Sequence, residues 1–197
     1  FDEKVLGLYG KIKRENYVPN EYNKLAFTDV QLPLKHNQFM LAPKQEAKVL
    51  QALKLKPTDN ILHVGTGSGF FTAMLASLSK HVVTIEVHEQ LLIEARLIHQ
   101  ADKLSNITYI HDDGIFGHLE YAPYDVIVFT GGLVKEPIGL REQLKMGGKL
   151  FLFEGNKTFM RANLIEKVGS NEYDISSIFE DVIPLLISKN KSSRFVF

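Results

Sequence analysis

The sequence feature that most constrains the fold is a glycine-rich turn, Gly65-Thr66-Gly67-Ser68-Gly69. The turn follows a short apolar run, residues 60–64, and precedes a segment with helical spacing, residues 70–79. Glycine adopts backbone dihedrals that other residues avoid, and its lack of a side chain lets the backbone approach a ligand closely. Ser68 is a candidate cap for the helix that follows. Such a strand–turn–helix unit predicts an α/β sheet with a ligand at its edge.

Strand-like and helical segments alternate after this turn. The strand-like segments are residues 81–87, 107–110, 124–130 and 149–154, and the helical segments are residues 89–103 and 137–144. Strands joined by helices imply right-handed crossovers, and therefore a doubly wound, mostly parallel sheet with helices on both faces. Residues 159–167 and 178–187 have strand character without a long helix between them, which predicts an antiparallel edge.

The chain before the glycine turn differs in periodicity and composition. Residues 1–15 and 44–55 have helical spacing, whereas the stretch from Asn16 to Pro43 is polar and interrupted by prolines. A loop of that length is often functional. The length of 197 residues predicts one domain with an N-terminal extension.

Composition excludes several classes of protein. The 23 Lys and Arg residues balance the 23 Asp and Glu residues, whereas a general nucleic-acid binder normally carries a cationic excess. Cysteine is absent, which removes disulfides, thiolate zinc sites and a cysteine nucleophile. No apolar run approaches the roughly 18 residues of a membrane-spanning helix. We therefore expect a cytoplasmic protein that binds neither nucleic acid nor membrane.

Three known glycine motifs do not fit the turn. The dinucleotide fingerprint G-x-G-x-x-G requires a glycine at position 70, where the chain has Phe70. A phosphate-binding P-loop requires a terminal Gly-Lys-Ser/Thr, which is missing. A G-x-S-x-G nucleophile elbow would need glycines in place of Thr66 and Phe70. The remaining pattern, G-x-G-x-G, suits a nucleoside ligand without a pyrophosphate, and a purely structural tight turn is the alternative.

Acidic residues follow the next two strands along the chain. Glu86 ends the strand after the turn, where a carboxylate can accept hydrogen bonds from both ribose hydroxyls. Asp113, in Asp112-Asp113-Gly114, follows the third strand, where it can accept from an adenine amino group. A surface acid at position 86 and a turn-forming Asp-Gly pair at position 113 are the structural alternatives. Together with the glycines, these residues place a nucleoside site at the carboxyl ends of three successive strands.

Histidines do not form a metal-binding pattern. His88-Glu89 could begin an H-E-x-x-H zinc helix, but Leu92 occupies the position of the second histidine. The pairs His81/His88 and His111/His118 lack supporting acids at zinc spacing. The sequence therefore predicts no metal.

Motifs through most of the chain resemble one known family. They are RENYVP (14–19), LAFTD (25–29), QLPL (31–34), ILHVGTGSGF (61–70), the segment 82–86, DGIFG (113–117), APYD (122–125), QLKMGGK (143–149), the tripeptide 183–185 and Ser193-Arg194. The chain resembles class I S-adenosylmethionine-dependent methyltransferases, and it is similar in particular to protein-L-isoaspartate O-methyltransferases.

The resemblance implies a fold, a cofactor and a reaction. The fold would be a three-layer, Rossmann-like methyltransferase domain with a seven-stranded sheet. Its parts would be an N-terminal helical and substrate segment (1–56), a cofactor-binding core (57–155) and C-terminal antiparallel strands with a tail (156–197). S-adenosyl-L-methionine would be the cofactor and S-adenosyl-L-homocysteine its product. The enzyme would methylate the carboxylate of L-isoaspartyl residues in damaged proteins, so its partner would be a protein or peptide. The implied cofactor-binding residues are His63, Gly65, Thr66, Gly67, Ser68, Gly69, Glu86, Val87, Asp113 and Gly114.

The chain departs from the family pattern at several functional positions. His63 stands where relatives have an acidic residue, and it could donate to the cofactor carboxylate or be satisfied locally by backbone. In the substrate loop, Leu41-Ala42-Pro43-Lys44, Leu41 replaces a Ser or Thr and Lys44 replaces a His. Lys44 could pair with a substrate carboxylate or simply be a solvated lysine. In the tail, Leu186 and Lys191 replace a hydroxyl and an amide residue.

These departures leave two alternatives to isoaspartyl repair open. One is a methyltransferase of the same fold that acts on a different acceptor. The other is a catalytically inactive relative that binds the cofactor. No catalytic residue is assigned with certainty, and the candidates are the four residues of the substrate loop.

Overall fold

The N-terminal region combines helices with short turns. In the computed structural model, which describes residues 1–188, helix α1 spans Glu3–Lys11 and helix α2 spans Pro43–Leu53. The stretch between them contains three 3₁₀ turns and a two-stranded antiparallel hairpin of β1 (Leu32–Pro33) and β2 (Phe39–Met40). The predicted proline-interrupted loop is therefore ordered by short elements.

A seven-stranded sheet forms the centre of the molecule. Its strands are β3 (Asn60–Val64), β4 (His81–Glu86), β5 (Ile107–His111), β6 (Tyr124–Leu133), β7 (Leu144–Gly155), β8 (Met160–Lys167) and β9 (Tyr173–Glu180). Their spatial order is β5-β4-β3-β6-β7-β8-β9. The first five strands of this order pair in parallel, and β8 and β9 add antiparallel. This confirms the doubly wound, mostly parallel seven-stranded sheet with an antiparallel edge.

Helices α3 (Phe70–Leu78) and α4 (Glu89–Ala101) form the crossovers from β3 to β4 and from β4 to β5. Side chains of α1, α2 and α3 form one hydrophobic core with strand residues such as Ile61, Val126 and Phe151. The opposite face packs Leu62, Ile127 and their neighbours against the connections that follow β5 and β6. Because both faces are covered, the four residues 126–129 of β6 are almost fully buried, as the apolar run predicted.

Two predicted elements are wrong. Residues 137–144 do not form an α-helix, and only a 3₁₀ turn, Arg141–Gln143, occurs there. Pro137 and Gly139, which has a φ of +89°, disfavour a continuous helix in so short a segment. The last strand is β9 rather than residues 178–187, and residues 181–188 return as an extended segment with one parallel bridge, between Leu185 and Gly132.

No helix within residues 1–188 is long and apolar enough to cross a membrane.

Candidate active site

The glycine turn has a geometry that requires glycine. Gly65, Gly67 and Gly69 have φ angles of +96°, +54° and +86°, a region that side chains disfavour. A β-carbon on Gly69 would also lie 2.7 Å from the Ala95 β-carbon and 2.9 Å from His99 Nε2. Gly69, rather than Ser68, occupies the N-cap position of α3, and the Ser68 hydroxyl accepts from the Phe70 N–H at 3.3 Å. The backbone of the turn therefore lies directly against α4 on one side and borders the cleft above the sheet on the other.

Glu86 closes the turn from the neighbouring strand. Its side chain is 5 % exposed, and its Oε2 accepts from the Gly67 N–H at 2.9 Å while its Oε1 accepts from the His88 N–H at 3.0 Å. A carboxylate oxygen can accept more than one hydrogen bond, so both oxygens retain acceptor capacity toward the cleft. Glu86 thus fixes the turn and presents a carboxylate beside it.

Asp113 and Gly114 form the third side of the site, after β5. Asp113 Oδ1 accepts from the Ile115 N–H at 3.2 Å, and its Oδ2 accepts from the Ser188 hydroxyl at 2.5 Å. A β-carbon on Gly114 would lie 2.9 Å from Val64 Cγ1. The chain therefore needs glycine here to pass close to the end of β3.

Most of the predicted site residues line one cleft, which lies at the carboxyl ends of β3, β4, β5 and β6. Of these, Leu41, Gly65, Thr66, Gly67, Ser68, Glu86, Val87, Asp113 and Gly114 line it. His63, Gly69, Ala42, Pro43 and Lys44 do not contribute to its lining. The structure adds residues that the sequence analysis did not select as site residues, among them Gln31, Thr130, Gly131, Leu185 and Ile187.

His63 lies beneath the cleft and is completely buried. Thr130 Oγ1 donates to the Gly65 carbonyl at 2.8 Å, so His63 Nε2 must donate to Thr130 Oγ1 at 2.9 Å. His63 Nδ1 then accepts from the Thr72 hydroxyl at 2.9 Å. Burial, together with the nearby His99 ring, lowers the pKa of His63 to about 3. His63 is therefore a neutral imidazole that supports the glycine turn through Thr130, held by hydroxyl groups rather than by backbone.

A second buried histidine, His99 on α4, supports the turn from the other side. Its Nε2 donates to the Gly69 carbonyl at 2.8 Å, and its Nδ1 accepts from the Tyr109 hydroxyl at 2.9 Å. Burial lowers the pKa of His99 as well. The sequence analysis missed this residue, although its spacing from Leu92 and Ala95 places it on the apolar face of the helix.

A buried ion pair fixes the substrate loop. Arg14 and Glu46 are 0 % and 1 % exposed, and Arg14 Nη2 lies 3.1 Å from Glu46 Oε1. The same guanidinium donates to the carbonyls of Ala26 and Leu41. Desolvation raises the pKa of Glu46 to about 7, with Arg14 opposing the shift. Arg14, from the RENYVP motif, therefore sets the position of Leu41 across the cleft.

Residues of the LAFTD and QLPL motifs tie the start of α2 to the rest of the loop. Asp29 Oδ1 accepts from the Lys44 N–H at 3.1 Å, and the buried Gln45 Oε1 accepts from the Ala42 N–H at 2.9 Å. Gln31 donates to the Val182 carbonyl at 2.9 Å. Lys44 itself is exposed on the outer side of the loop. Leu41, in contrast, is 6 % exposed and faces both the core and the cleft.

The segment 182–188, which we call the C-terminal strap, covers the cleft beside β6. The Gly132 N–H donates to the Pro184 carbonyl at 2.8 Å, and the Leu186 N–H donates to the Gly132 carbonyl at 2.8 Å. Leu186 packs on Gly131, where a β-carbon would lie 2.4 Å from Leu186 Cδ2. The predicted tail residues Lys191, Ser193 and Arg194 lie outside the described residues. Among residues 1–188, no group of three or more His, Asp or Glu side chains is placed to hold a metal ion.

The sheet order and the glycine cleft at its carboxyl edge define a Rossmann-like methyltransferase fold. The family model of protein-L-isoaspartate(D-aspartate) O-methyltransferases matches residues 1–188. The chain therefore belongs to this family, and the predicted resemblance is confirmed.

Relatives and solved structures agree with this assignment. The protein-L-isoaspartate O-methyltransferase of Petrotoga mobilis is 36 % identical over 190 residues, covering 94 % of this chain and 88 % of the relative. That of Dictyoglomus thermophilum is 36 % identical over 171 residues, covering 87 % of this chain and 78 % of the relative. A Plasmodium falciparum structure of the same family name, in complex with S-adenosyl-L-homocysteine, shares the fold with a TM-score of 0.79 at 21 % identity, covering 94 % of this chain and 91 % of that one.

Proposed function

We propose that this protein transfers a methyl group from S-adenosyl-L-methionine to the carboxylate of L-isoaspartyl residues in proteins and peptides. Family membership over residues 1–188 is the observation that carries the proposal. The cleft supports it, because glycine backbone and two carboxylates from three strand ends converge where open α/β sheets bind ligands.

The residues present fit the proposed cofactor. Glu86 is held by two backbone N–H groups, 2.9 and 3.0 Å away, with acceptor capacity left for a pair of ribose hydroxyls. Gly65 and Gly67 expose backbone rather than side chains to the cleft. Gly114 lets the backbone next to Asp113 pass close to Val64 at the wall of the cleft, because any side chain there would collide with Val64. These residues would bind the nucleoside and orient it against the end of β3.

The proposed reaction requires little acid–base catalysis by the protein. When bound, S-adenosylmethionine supplies a methyl group on a positively charged sulfur as the electrophile. The acceptor carboxylate has an ordinary pKa near about 4, so it is already ionised at neutral pH and needs no general base. Alignment of two reactants can contribute roughly 7–11 kcal/mol. The work of this chain is therefore to position the acceptor, and the loss of a hydroxyl at Leu41 is compatible with catalysis.

A second candidate function is methylation of a different acceptor by the same site. The buried, apolar Leu41 favours it, because it removes a hydrogen-bonding group from the wall of the cleft. A site that hydrogen-bonds its substrate discriminates far more strongly than an apolar one. Acceptor preference is therefore the property in which this chain would differ from relatives.

Methyl incorporation into an isoaspartyl peptide tests the proposal, with the aspartyl peptide of the same sequence as the control. We expect labelling of the isoaspartyl peptide alone, and weaker labelling by a Glu86→Gln variant at low cofactor concentration. Equal, background-level labelling of both peptides by the wild-type enzyme would refute isoaspartyl methylation. Calorimetry with S-adenosylmethionine then separates the alternatives, since absence of binding at millimolar cofactor contradicts every cofactor-based function.

The cytoplasmic location, the absence of nucleic acid among its partners and the three-part division of the domain remain predictions.

A further inference from the structure

A chain of two hydrogen bonds connects strand β5 to the glycine turn. It runs from the Tyr109 hydroxyl on β5 through the His99 ring on α4 to the Gly69 carbonyl, with lengths of 2.9 and 2.8 Å. The Gly69 carbonyl also accepts the first helical hydrogen bond of α3, from the Ala73 N–H at 2.9 Å, and the Gly69 N–H donates to the Thr66 carbonyl at 2.9 Å. His99 therefore holds the residue at which the turn closes and α3 begins.

The two ends of this chain determine the direction of both hydrogen bonds. A carbonyl oxygen accepts and cannot donate, so the proton of the neutral imidazole lies on His99 Nε2, and Nδ1 accepts from the Tyr109 hydroxyl. Burial raises the pKa of Tyr109 to about 12, with the Arg96 guanidinium opposing the shift, so the hydroxyl keeps its proton at neutral pH. In the other tautomer of His99, two acceptors, Nε2 and the Gly69 carbonyl, would face each other at 2.8 Å.

The surroundings of His99 make its orientation depend on Tyr109. His99 is completely buried, and the ring centroids of Tyr109 and Tyr17 each lie 5.8 Å from the imidazole centroid. Tyr17 is itself anchored at the end of α4, where its hydroxyl donates to Asp102 at 2.6 Å. A buried acceptor that loses its donor costs free energy. Loss of the Tyr109 hydroxyl would therefore favour a shift of the imidazole away from the direction that serves Gly69.

We propose that Tyr109 is a positioning residue for the cofactor, because its hydroxyl fixes the tautomer and orientation of His99, which in turn holds the glycine turn in the conformation that receives S-adenosyl-L-methionine. Neither side chain lines the cleft, whereas four residues of the turn do. The role is therefore indirect, and it affects cofactor affinity rather than the rate of the loaded enzyme. This inference rests on the proposed methyltransferase function and adds to it a determinant of cofactor binding outside the cleft.

Calorimetry with S-adenosyl-L-homocysteine tests this role in Tyr109→Phe, which removes the hydroxyl and keeps the ring. We expect binding to weaken about fivefold, as the loss of one hydrogen bond allows, and the KM for the cofactor to rise in parallel while kcat is unchanged. Tyr124→Phe is the matched control, since it removes a hydroxyl that donates to the His118 carbonyl at 2.6 Å, away from the cleft lining. The control should bind as the wild type does, and wild-type affinity in Tyr109→Phe would overturn the proposal.

A double-mutant cycle with His99→Gln shows whether Tyr109 acts through the histidine. A glutamine amide can donate to the Gly69 carbonyl and has no tautomer to select. Adding Tyr109→Phe to His99→Gln should therefore change cofactor affinity much less than Tyr109→Phe does in the wild type. Equal fold-losses in the two backgrounds would mean that the hydroxyl acts independently of His99, which contradicts the proposal.

Nitrogen-15 NMR of the His99 ring gives a second readout that does not require the double variant. The wild type should carry its proton on Nε2, and the Nδ1 resonance should change in Tyr109→Phe but not in Tyr124→Phe. A proton on Nδ1 in the wild type would overturn the assignment. If the wild type binds no S-adenosyl-L-homocysteine, the proposed function itself fails, an outcome distinct from binding that Tyr109→Phe leaves unchanged.

Discussion

The buried His63 should make the stability of this protein depend on pH in a predictable direction. Its pKa is lowered from 6.5 to about 3 by burial and by the nearby His99 ring. A base with a depressed folded-state pKa contributes stability that is fully present above the unfolded value, near 6.5, and is lost as pH falls toward 3. At pH 5, about 1.5 pH units below the pKa of the unfolded imidazole, the unfolded state binds a proton that the folded state excludes. This difference lowers the free energy of unfolding by about 2 kcal/mol.

A His63→Gln variant isolates this contribution, because glutamine cannot titrate. At pH 7.5 we expect the variant to be less stable by roughly 1–3 kcal/mol, since the hydrogen bond from Thr72 is lost or strained. At pH 5 the difference should shrink by about 2 kcal/mol, as only the wild type must keep an imidazole uncharged. Contributions of Glu46 and His99, whose pKa values are also shifted, are present in both proteins and largely cancel in the difference.

Urea unfolding followed by far-UV circular dichroism at several pH values measures the difference, because the chain has no tryptophan for fluorescence. His81→Gln is the control, since His81 also contacts a threonine hydroxyl, Thr108 Oγ1 at 2.9 Å, but is only partly buried. If wild type and His63→Gln lose stability in parallel between pH 7.5 and 5, burial of the neutral imidazole does not explain the role of His63.

Three further predictions test the supports of the site. Arg14→Met should lower the free energy of unfolding by about 3–5 kcal/mol because it leaves the buried Glu46 carboxyl without its ion-pair and hydrogen-bond partner, and combining it with Glu46→Leu should restore much of that loss in urea titrations. Gly69→Ala should lower the melting temperature and weaken cofactor binding at least tenfold, since its β-carbon would lie 2.7 Å from another side chain, whereas Gly10→Ala, with no atom within 4 Å, should do neither. Glu86→Gln should weaken cofactor binding about tenfold in calorimetry while the far-UV spectrum stays unchanged, because an amide supplies only one of the two acceptors that the turn uses.

Local patterns account for much of the fold. The apolar run at 124–130 and the β-branched run at 81–87 predicted strands of a parallel sheet because each is short and rich in apolar or β-branched residues. The predicted helix at 137–144 was wrong, since Leu140 packs in the core from an irregular connection, Leu144 begins β7 and Ile138 is exposed. Periodicity alone does not separate these two cases in a segment of eight residues.

The residues of the cleft that directly follow a strand could be predicted from the sequence. Glu86 and Asp113 each follow a strand directly, and parallel strands place their carboxyl ends at one edge. His63 was predicted next to the cofactor from the family pattern, but the structure places it beneath the glycine turn, between Thr72 and Thr130. The sequence gives no signal for this partner set, since Thr130 lies on β6, 67 residues away.

The sequence by itself determined the sheet, the glycine turn and the two acids, because strand pattern, backbone freedom and carboxyl-end position are local properties. Only the tertiary structure decided how the substrate side of the cleft is built. Arg14 reaches Leu41 and Glu46 across 27 and 32 residues, and Ser188 reaches Asp113 across 75. Such contacts depend on how distant segments pack, and burial then sets the charge of His63 and the pKa of Glu46.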